Sequence, residues 1–185
     1  MSARDRLATA LEACGDVRRD ELLARHTTFG IGGPADIFVT VRDAAALARA
    51  TRVALDAGVD TFVLGSGSNI LVADAGIRGV VFENRARGAV ADERGRRWRV
   101  ESGASFAAFA RRMCRIGLEG LAWAVGIPGT LGGAVVYNAG AYGGCLADVL
   151  RRVRLDDGGR DEWVDAADLH LVYRGSVFTR GAFAG

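Results

Sequence analysis

The first half of the chain alternates between stretches with the apolar spacing of helices and short apolar runs typical of strands. A helix is predicted over residues 2–14, ended by Gly15. A second helix is predicted after Asp43, whose carboxylate suits an N-cap, and is ended by Gly58. Each helix is expected to bury one face, formed by Leu7, Ala10, Leu11 and Cys14 in the first and by Leu47, Ala50, Ala54 and Ala57 in the second.

The apolar runs in this half predict short strands over residues 36–41, 61–64, 70–72 and 80–82. In the first run, Ile37, Val39 and Val41 alternate with more polar neighbours, as in a strand with one buried face. The order strand, helix, strand favours parallel pairing in a small lobe. The residues before Thr27 are interpreted as the first helix and a lead-in.

After Gly88 the pattern changes to hairpins around one helix. The predicted hairpins pair residues 90–92 with 98–102, and 151–155 with 161–164 about a turn at 157–159. Ser105 is expected to cap the helix and Gly117 to end it. The buried face of this helix is predicted to consist of Phe106, Phe109, Ala110, Met113 and Cys114, and a helical turn is predicted over 165–169. The fold class is therefore α+β, with divisions at 1–26, 27–86 and 87–185.

Composition excludes several classes of function but does not identify the function itself. The chain has 185 residues, a formal net charge of +2 and no apolar run of the length that a spanning helix needs, so neither nucleic acid nor a membrane is an expected partner. Its 3 cysteines are an odd number without CxxC spacing, so we expect no disulfide framework and no metal site. Cys14 and Cys114 are interpreted as core residues. With no visible signal peptide, a cytoplasmic location is expected.

The 26 glycines cluster in segments suited to ligand binding. The first segment, Gly65-Ser66-Gly67-Ser68-Asn69, follows a predicted strand, and its backbone N–H groups and hydroxyls can form an anion-binding nest for a pyrophosphate. It is not a dinucleotide-binding fingerprint, because Ile70 stands where a glycine or alanine is needed. An ordinary Gly/Ser turn is the alternative interpretation.

Two further glycine-rich segments follow each other without a break. The first of them, residues 126–134, includes Ile127, Pro128, Gly129, Gly132 and Gly133. Its glycines allow a flat ligand to come close to the backbone. The N–H groups of Gly132 and Gly133 are candidate donors to that ligand. Close packing of a helix against a strand is the alternative.

The adjoining residues 135–144 add Asn138, Gly140, Ala141 and Tyr142. Asn138 supplies both a donor and an acceptor. Tyr142 can pack on a ligand ring or simply cover the core.

The last segment with candidate chemistry is Tyr173-Arg174-Gly175-Ser176-Val177-Phe178. Arg174 is a permanent cation suited to a carboxylate or a developing enolate. In isolation, such an arginine is more often a surface ion-pair partner.

Together with the loop Thr27–Ala35, these segments, in this order, resemble the UDP-N-acetylenolpyruvoylglucosamine reductase (MurB) family over residues 27–178. The resemblance implies a PCMH-type FAD-binding fold of the vanillyl-alcohol-oxidase superfamily, with two α/β subdomains and FAD between them. It implies that Gly65 to Asn69 hold the FAD pyrophosphate, that the segments around Ile127 and Asn138 line the flavin, and that Arg174 is catalytic, with Tyr173 and Ser176 completing a substrate-binding motif.

The implied reaction is the reduction of UDP-GlcNAc-enolpyruvate to UDP-N-acetylmuramate by NADPH through FAD, a step of peptidoglycan synthesis and hence of cell shape and division. The two histidines, His26 and His170, lie outside the glycine-rich segments, so noncovalent FAD is expected. The family's proton-donating Ser and catalytic Glu belong to a later substrate domain without a counterpart here, so a truncated reductase is expected. The alternatives are a catalytically silent FAD module or half of a split enzyme that needs a separate substrate domain, and another PCMH-type flavin oxidase.

Overall fold

A computed structural model describes residues 2–156 and 161–180, and the chain divides into two compact units, 1–88 and 89–185. The first unit contains α1 (Ala3–Leu11), β1 (Asp16–Leu22), β2 (Pro34–Val41), α2 (Ala44–Asp56), β3 (Thr61–Leu64) and β4 (Ile77–Asn84), with a 3-10 turn at Leu23–His26. Its sheet has the order β1-β2-β4-β3. The pairs β2–β4 and β3–β4 are parallel, as predicted, and β1–β2 is antiparallel.

The central strands of this sheet are covered on both faces. One face packs on α1 and α2 through residues such as Val39 and Phe82. The other face contains Phe38, which packs with Leu23 and Val72 from the neighbouring loops. The predicted alternation in β2 is therefore wrong: residues 37–41 are all buried, because both faces of a strand at this position meet a core.

Both helix starts in this unit follow the capping rules. Ser2 and Asp5 form a capping box at α1, and the predicted N-cap Asp43 accepts the Ala46 N–H at 2.7 Å. The predicted buried faces of the two helices differ from the observed ones at individual residues. Helix α1 ends at Leu11 and buries Ala8 rather than Ala10, and α2 buries Ala46, whereas Ala57 lies after its last residue and is exposed.

One strand of this unit was missed and another was wrongly predicted. Both errors have the same physical cause: strand formation depends on a neighbouring strand. Strand β1 was not predicted, because its sequence Asp16–Leu22 is mostly charged; it becomes a strand by pairing with β2 at the sheet edge. Residues 70–72 are not a strand, because no neighbouring strand pairs with them. Ile70 and Val72 pack instead into the core beneath the sheet.

The second unit combines small hairpins with short helices. Its elements are β5 (Ala89–Ala91), β6 (Trp98–Val100), α3 (Phe106–Arg115), α4 (Leu131–Val136), β7 (Gly140–Ala141), β8 (Gly144–Cys145), β9 (Arg152–Asp156) and β10 (Asp161–Asp165), with 3-10 turns at Ala122–Ala124, Leu146–Asp148, Ala166–Leu169 and Val177–Arg180. The pairs β5–β6, β7–β8 and β9–β10 are antiparallel hairpins. Both predicted hairpins are confirmed, and the expected turn at 157–159 lies outside the described residues.

The helix α3 begins after Ser105, as predicted, and buries Phe106, Ala110 and Met113. Cys114 is exposed, so its interpretation as a core residue is wrong, whereas Cys14 is partly buried against the first unit's core. The core of the second unit joins α3 and α4 to Leu146, Leu169 and Val177. It thereby fixes the segments that precede and follow the candidate arginine, Arg174.

Candidate functional site

The loop Gly65–Asn69 of the first unit leaves the end of β3 and packs against the segment after the 3-10 turn at Leu23–His26. The Thr28 N–H donates to the Gly67 carbonyl at 2.9 Å. Gly67 has a φ of +67°, and a Cβ there would clash with the His26 carbonyl oxygen. Gly67 is thus required by contact between two stretches of the chain's own backbone, not by ligand approach alone.

The same loop has the donors expected of an anion nest. The backbone N–H groups of residues 66–69 donate no hydrogen bond to any residue that the structure describes. Ser66 is exposed, and its hydroxyl contacts that of Ser68 at 3.3 Å. Free N–H groups around a residue with positive φ form the concavity that binds phosphate oxygens. No helix follows the loop, which agrees with its difference from a dinucleotide-binding fingerprint.

A buried ionic cluster lies beside this loop. The imidazole of His26 contacts Glu21 through Nε2 at 2.9 Å and Glu83 through Nδ1 at 3.4 Å. Glu83 also accepts hydrogen bonds from Thr40 at 2.8 Å and Arg85 at 2.7 Å. This cluster was not predicted from the sequence. The feature that could have indicated it is His26, which immediately precedes the loop Thr27–Ala35.

The hydrogen bond from His26 lowers the pKa of Glu21 below its ordinary value. Burial alone would raise the pKa of Glu83, but the hydrogen bonds from Arg85 and Thr40 outweigh it and leave this pKa lowered as well. Both carboxylates are therefore ionised at neutral pH.

The second unit contains an open cleft of about 350 Å³. This volume is near the lower end of the range of roughly 300–1,000 Å³ for small-molecule sites. The cleft is lined by residues from three segments, half of them glycine or alanine: Gly126, Ile127, Pro128, Ala139, Gly140, Ala141, Tyr142 and Arg174. Small side chains keep its wall close to the backbone, as a flat aromatic ligand requires.

Two cleft residues, Tyr142 and Arg174, have left-handed backbone conformations, with φ of +50° and +56°. Such a conformation costs a non-glycine residue roughly 1–2 kcal/mol. Arg174 lies in a tight turn closed by reciprocal hydrogen bonds between Val172 and Gly175, at 2.9 and 3.2 Å. Tyr142 is 93% exposed and Tyr173 is 90% exposed, so this turn and the β7–β8 turn present aromatic side chains and a cation to solvent. Strain concentrated at such positions is typical of ligand sites.

Asn138 and Ser176, both predicted to contact ligands, make hydrogen bonds that support the Arg174 turn. The Asn138 amide donates to the Val172 carbonyl at 3.0 Å and accepts the Ala147 N–H at 3.0 Å. Ser176 is fully buried, and its hydroxyl donates to the Val136 carbonyl at 2.6 Å. This hydrogen bond gives the Ser176 hydroxyl a supporting role in the fold, and its predicted substrate-binding role stays a prediction.

The N–H groups of Gly132 and Gly133 are also committed within the chain. Gly132 N–H donates to the Ser102 carbonyl at 2.8 Å, and Gly133 N–H faces the hydroxyl of the helix cap Thr130 at 3.5 Å. The expectation that these two groups donate to a ligand is therefore corrected: they fix the start of α4.

The predicted site residues thus separate into two groups within the second unit. Those that line the cleft are Ile127, Pro128, Gly140, Ala141, Tyr142 and Arg174. Those that lie outside its lining are Gly129, Gly132, Gly133, Asn138, Tyr173 and Ser176. Gly126 and Ala139 also line the cleft and were not singled out, although their segments were.

The described residues contain neither a clustered set of metal ligands nor a membrane-spanning helix. Within 2–156 and 161–180, no group of three or more His, Cys, Asp or Glu side chains is arranged to hold a metal ion. No helix in the same ranges has both the length and the apolar character needed to cross a membrane.

Comparison with known proteins identifies the fold and the cofactor class. Residues 35–165 match the family described as "FAD binding domain". The chain belongs to this FAD-binding domain family. The match spans β2 to β10, so it includes the Gly65–Asn69 loop and most of the segments that line the cleft.

The relatives of this FAD-binding domain are reductases. It is 43% identical over 169 residues to the UDP-N-acetylenolpyruvoylglucosamine reductase of Heliobacterium modesticaldum, covering 90% of the chain and 53% of the relative. It is 40% identical over 171 residues to reductase 2 of Symbiobacterium thermophilum, covering 92% and 56%. The domain therefore spans about half the length of the curated relatives that it matches.

A solved structure agrees with this family assignment. The reductase (MurB) of Thermus caldophilus superposes with a TM-score of 0.71 at 34% identity, covering 87% of this chain and 56% of that one. The predicted α+β fold and the predicted resemblance to the reductase family are confirmed.

Proposed function

We propose that this FAD-binding domain is the flavin-holding part of an oxidoreductase that reduces UDP-N-acetylenolpyruvoylglucosamine to UDP-N-acetylmuramate with NADPH. The observation that carries the proposal is the loop at residues 66–69, whose N–H groups have no acceptor in the described chain, in a domain of an FAD-binding family. The reductase names of the relatives support the substrate.

The residues present fit FAD in two chemically distinct ways. The nest at Ser66 to Asn69 offers N–H donors and hydroxyls for the pyrophosphate oxygens. The cleft from Gly126 to Pro128 and Ala139 to Tyr142 offers a wall of small residues for the flavin ring. Held there, FAD would supply the hydride-transfer chemistry that links NADPH to the enolpyruvyl group. The absence of a histidine in either segment favours noncovalent attachment.

Arg174 is proposed to hold the substrate carboxylate and to stabilise the negative charge that builds beside it. The guanidinium is permanently charged, and Asn138 and Ser176 fix the turn, so the backbone position from which this cation extends is set before substrate arrives. Tyr173, on the same turn, is proposed to contact the substrate.

The relatives' remaining length, beyond the part that this chain matches, is the proposed source of the proton donor and the UDP-sugar pocket. A separate substrate domain is therefore a proposed partner. Its role follows from the reaction: hydride addition to one carbon requires a proton at the adjacent carbon. None of the residues that line the described cleft is a carboxylic acid, serine or cysteine suited to that task.

A flavin titration of the purified chain tests this function. We expect saturable FAD binding with a shift of the visible flavin spectrum, and a yellow supernatant after acid precipitation, since the attachment is noncovalent. Addition of a reductase substrate domain should then give NADPH oxidation that depends on the enolpyruvyl sugar. A chain that leaves the flavin spectrum unchanged at every concentration refutes the proposal.

A further inference from the structure

His26 is a partly buried titratable residue without a role in the proposed reaction. Its side chain is 10% exposed and lies between the carboxylates of Glu21 and Glu83, at 2.9 and 3.4 Å. Its ring also packs on Phe38, with 4.3 Å between centroids. The imidazole therefore has one hydrogen bond, one longer polar contact and one ring contact, which together restrict its orientation.

The backbone of the same residue touches the proposed pyrophosphate loop. A Cβ at Gly67 would meet the His26 carbonyl, and the Thr28 N–H two residues later donates to the Gly67 carbonyl at 2.9 Å. The position of the Gly65–Asn69 loop thus depends on the position of residues 26–28. That segment is held to the sheet by the imidazole, because Glu21 belongs to β1 and Glu83 to β4.

We propose that His26 is a positioning residue for the pyrophosphate-binding loop, fixing the segment against which Gly67 packs through its two contacts with Glu21 and Glu83. This inference rests on the proposed role of the loop in holding FAD. It assigns to His26 no contact with the ligand itself.

Each of the two carboxylates beside the ring also has other polar neighbours. Glu21 is further approached by Arg18 at 3.4 Å and Arg25 at 3.8 Å, both more than half exposed. Glu83 is approached by Arg85 and Thr40. An apolar replacement of His26 leaves those neighbours in place but removes the imidazole contact from both carboxylates.

The test compares His26→Leu with His26→Gln. Leucine fills similar space without a donor, and the glutamine amide keeps a donor for one carboxylate. We expect His26→Leu to weaken FAD binding by roughly tenfold or more and to speed hydrogen exchange at the Thr28 amide, with His26→Gln restoring most of both. His170→Gln, at an exposed histidine of the second unit, is the matched control and should change neither. Circular dichroism establishes that each variant is folded.

The outcomes separate this inference from the proposed function. If Thr28 exchange is unchanged in folded His26→Leu, or if Leu and Gln variants behave alike, the positioning role is wrong even when FAD binds normally. Faster exchange with unaltered FAD affinity also overturns it. A wild-type chain that binds no FAD instead overturns the proposed function, and with it the loop's role.

Discussion

Replacement of Gly67 by alanine isolates the contact between the proposed pyrophosphate loop and the segment that follows His26. Gly58 provides a matched control, because its φ of +66° equals that of Gly67, +67°, within a degree. An alanine at Gly58 meets no atom within 4 Å, whereas at Gly67 it meets the His26 carbonyl and lies 2.8 Å from the Thr27 Cα. The two variants share backbone strain and differ only in the clash.

The magnitudes follow from this difference. Left-handed strain costs either alanine about 1–2 kcal/mol. Forcing an extra carbon into packed backbone costs about 1–3 kcal/mol more, and only at Gly67. The clash is relieved by moving the loop away from Thr28, so the cost is expected in FAD binding. At about 1.4 kcal/mol per tenfold, the dissociation constant of Gly67→Ala should exceed that of Gly58→Ala by roughly 5- to 150-fold.

The assay is a flavin titration of both variants beside wild type, with a thermal melt of each. Gly58→Ala should lose some thermal stability and keep its FAD affinity, since it lies at the end of α2, away from the loop. The reasoning is refuted if the two alanine variants bind FAD equally well. The sequence predicts an anion-binding nest at residues 65–69, and the position that a Cβ would take at Gly67 adds a second reason for the glycine, contact with the His26 carbonyl.

Three further outcomes are expected. Arg174→Ala should leave FAD affinity within about twofold of wild type, because its turn is held by backbone bonds, while NADPH oxidation with the complementing substrate domain falls at least about 100-fold; wild-type turnover would remove this residue from the mechanism. Ser176→Ala should lower the free energy of unfolding by about 1–3 kcal/mol, since the buried Val136 carbonyl loses its donor, and urea denaturation measures this. Glu21 and Glu83 have lowered pKa values in the folded state, so their stabilisation is present above the unfolded-state value of about 4.3 and is lost as pH falls through the folded values; melts between pH 7 and about 3 should show this loss, diminished in Glu21→Gln.

The sequence predicted elements wherever local patterns decide them. Asp43 and Ser105 cap their helices because an N-cap needs only a side-chain oxygen and the next turn of backbone. Strand β1 was missed, and a strand was wrongly predicted at residues 70–72, because strand formation depends on a partner. The charged sequence of β1 pairs with β2, while the apolar residues 70–72 have no neighbouring strand and fill the core instead.

In the candidate site, too, local patterns predicted some features, and others depend on the tertiary structure. Glycine clusters predicted segments that approach a ligand, and residues from two of these segments line one cleft together with Arg174. They could not indicate which polar atoms remain available. The N–H of Gly132 is taken by the carbonyl of Ser102, a partner 30 positions away in the sequence, whereas those of residues 66–69 have no acceptor in the described chain. Donor availability is a tertiary property, and no local pattern encodes it.

Asn138 and Ser176, both predicted to contact ligands, support the backbone turn that carries Arg174. In this turn Arg174 has a φ of +56°. A non-glycine residue keeps such a conformation only when the surrounding structure restrains it. Asn138 holds one side of the turn at Val172, and Ser176 holds the other by donating to Val136 at the end of α4. A long, flexible side chain thereby starts from a rigid backbone position. Substitution at Asn138 should accordingly disturb whatever Arg174 binds without removing any atom that touches it.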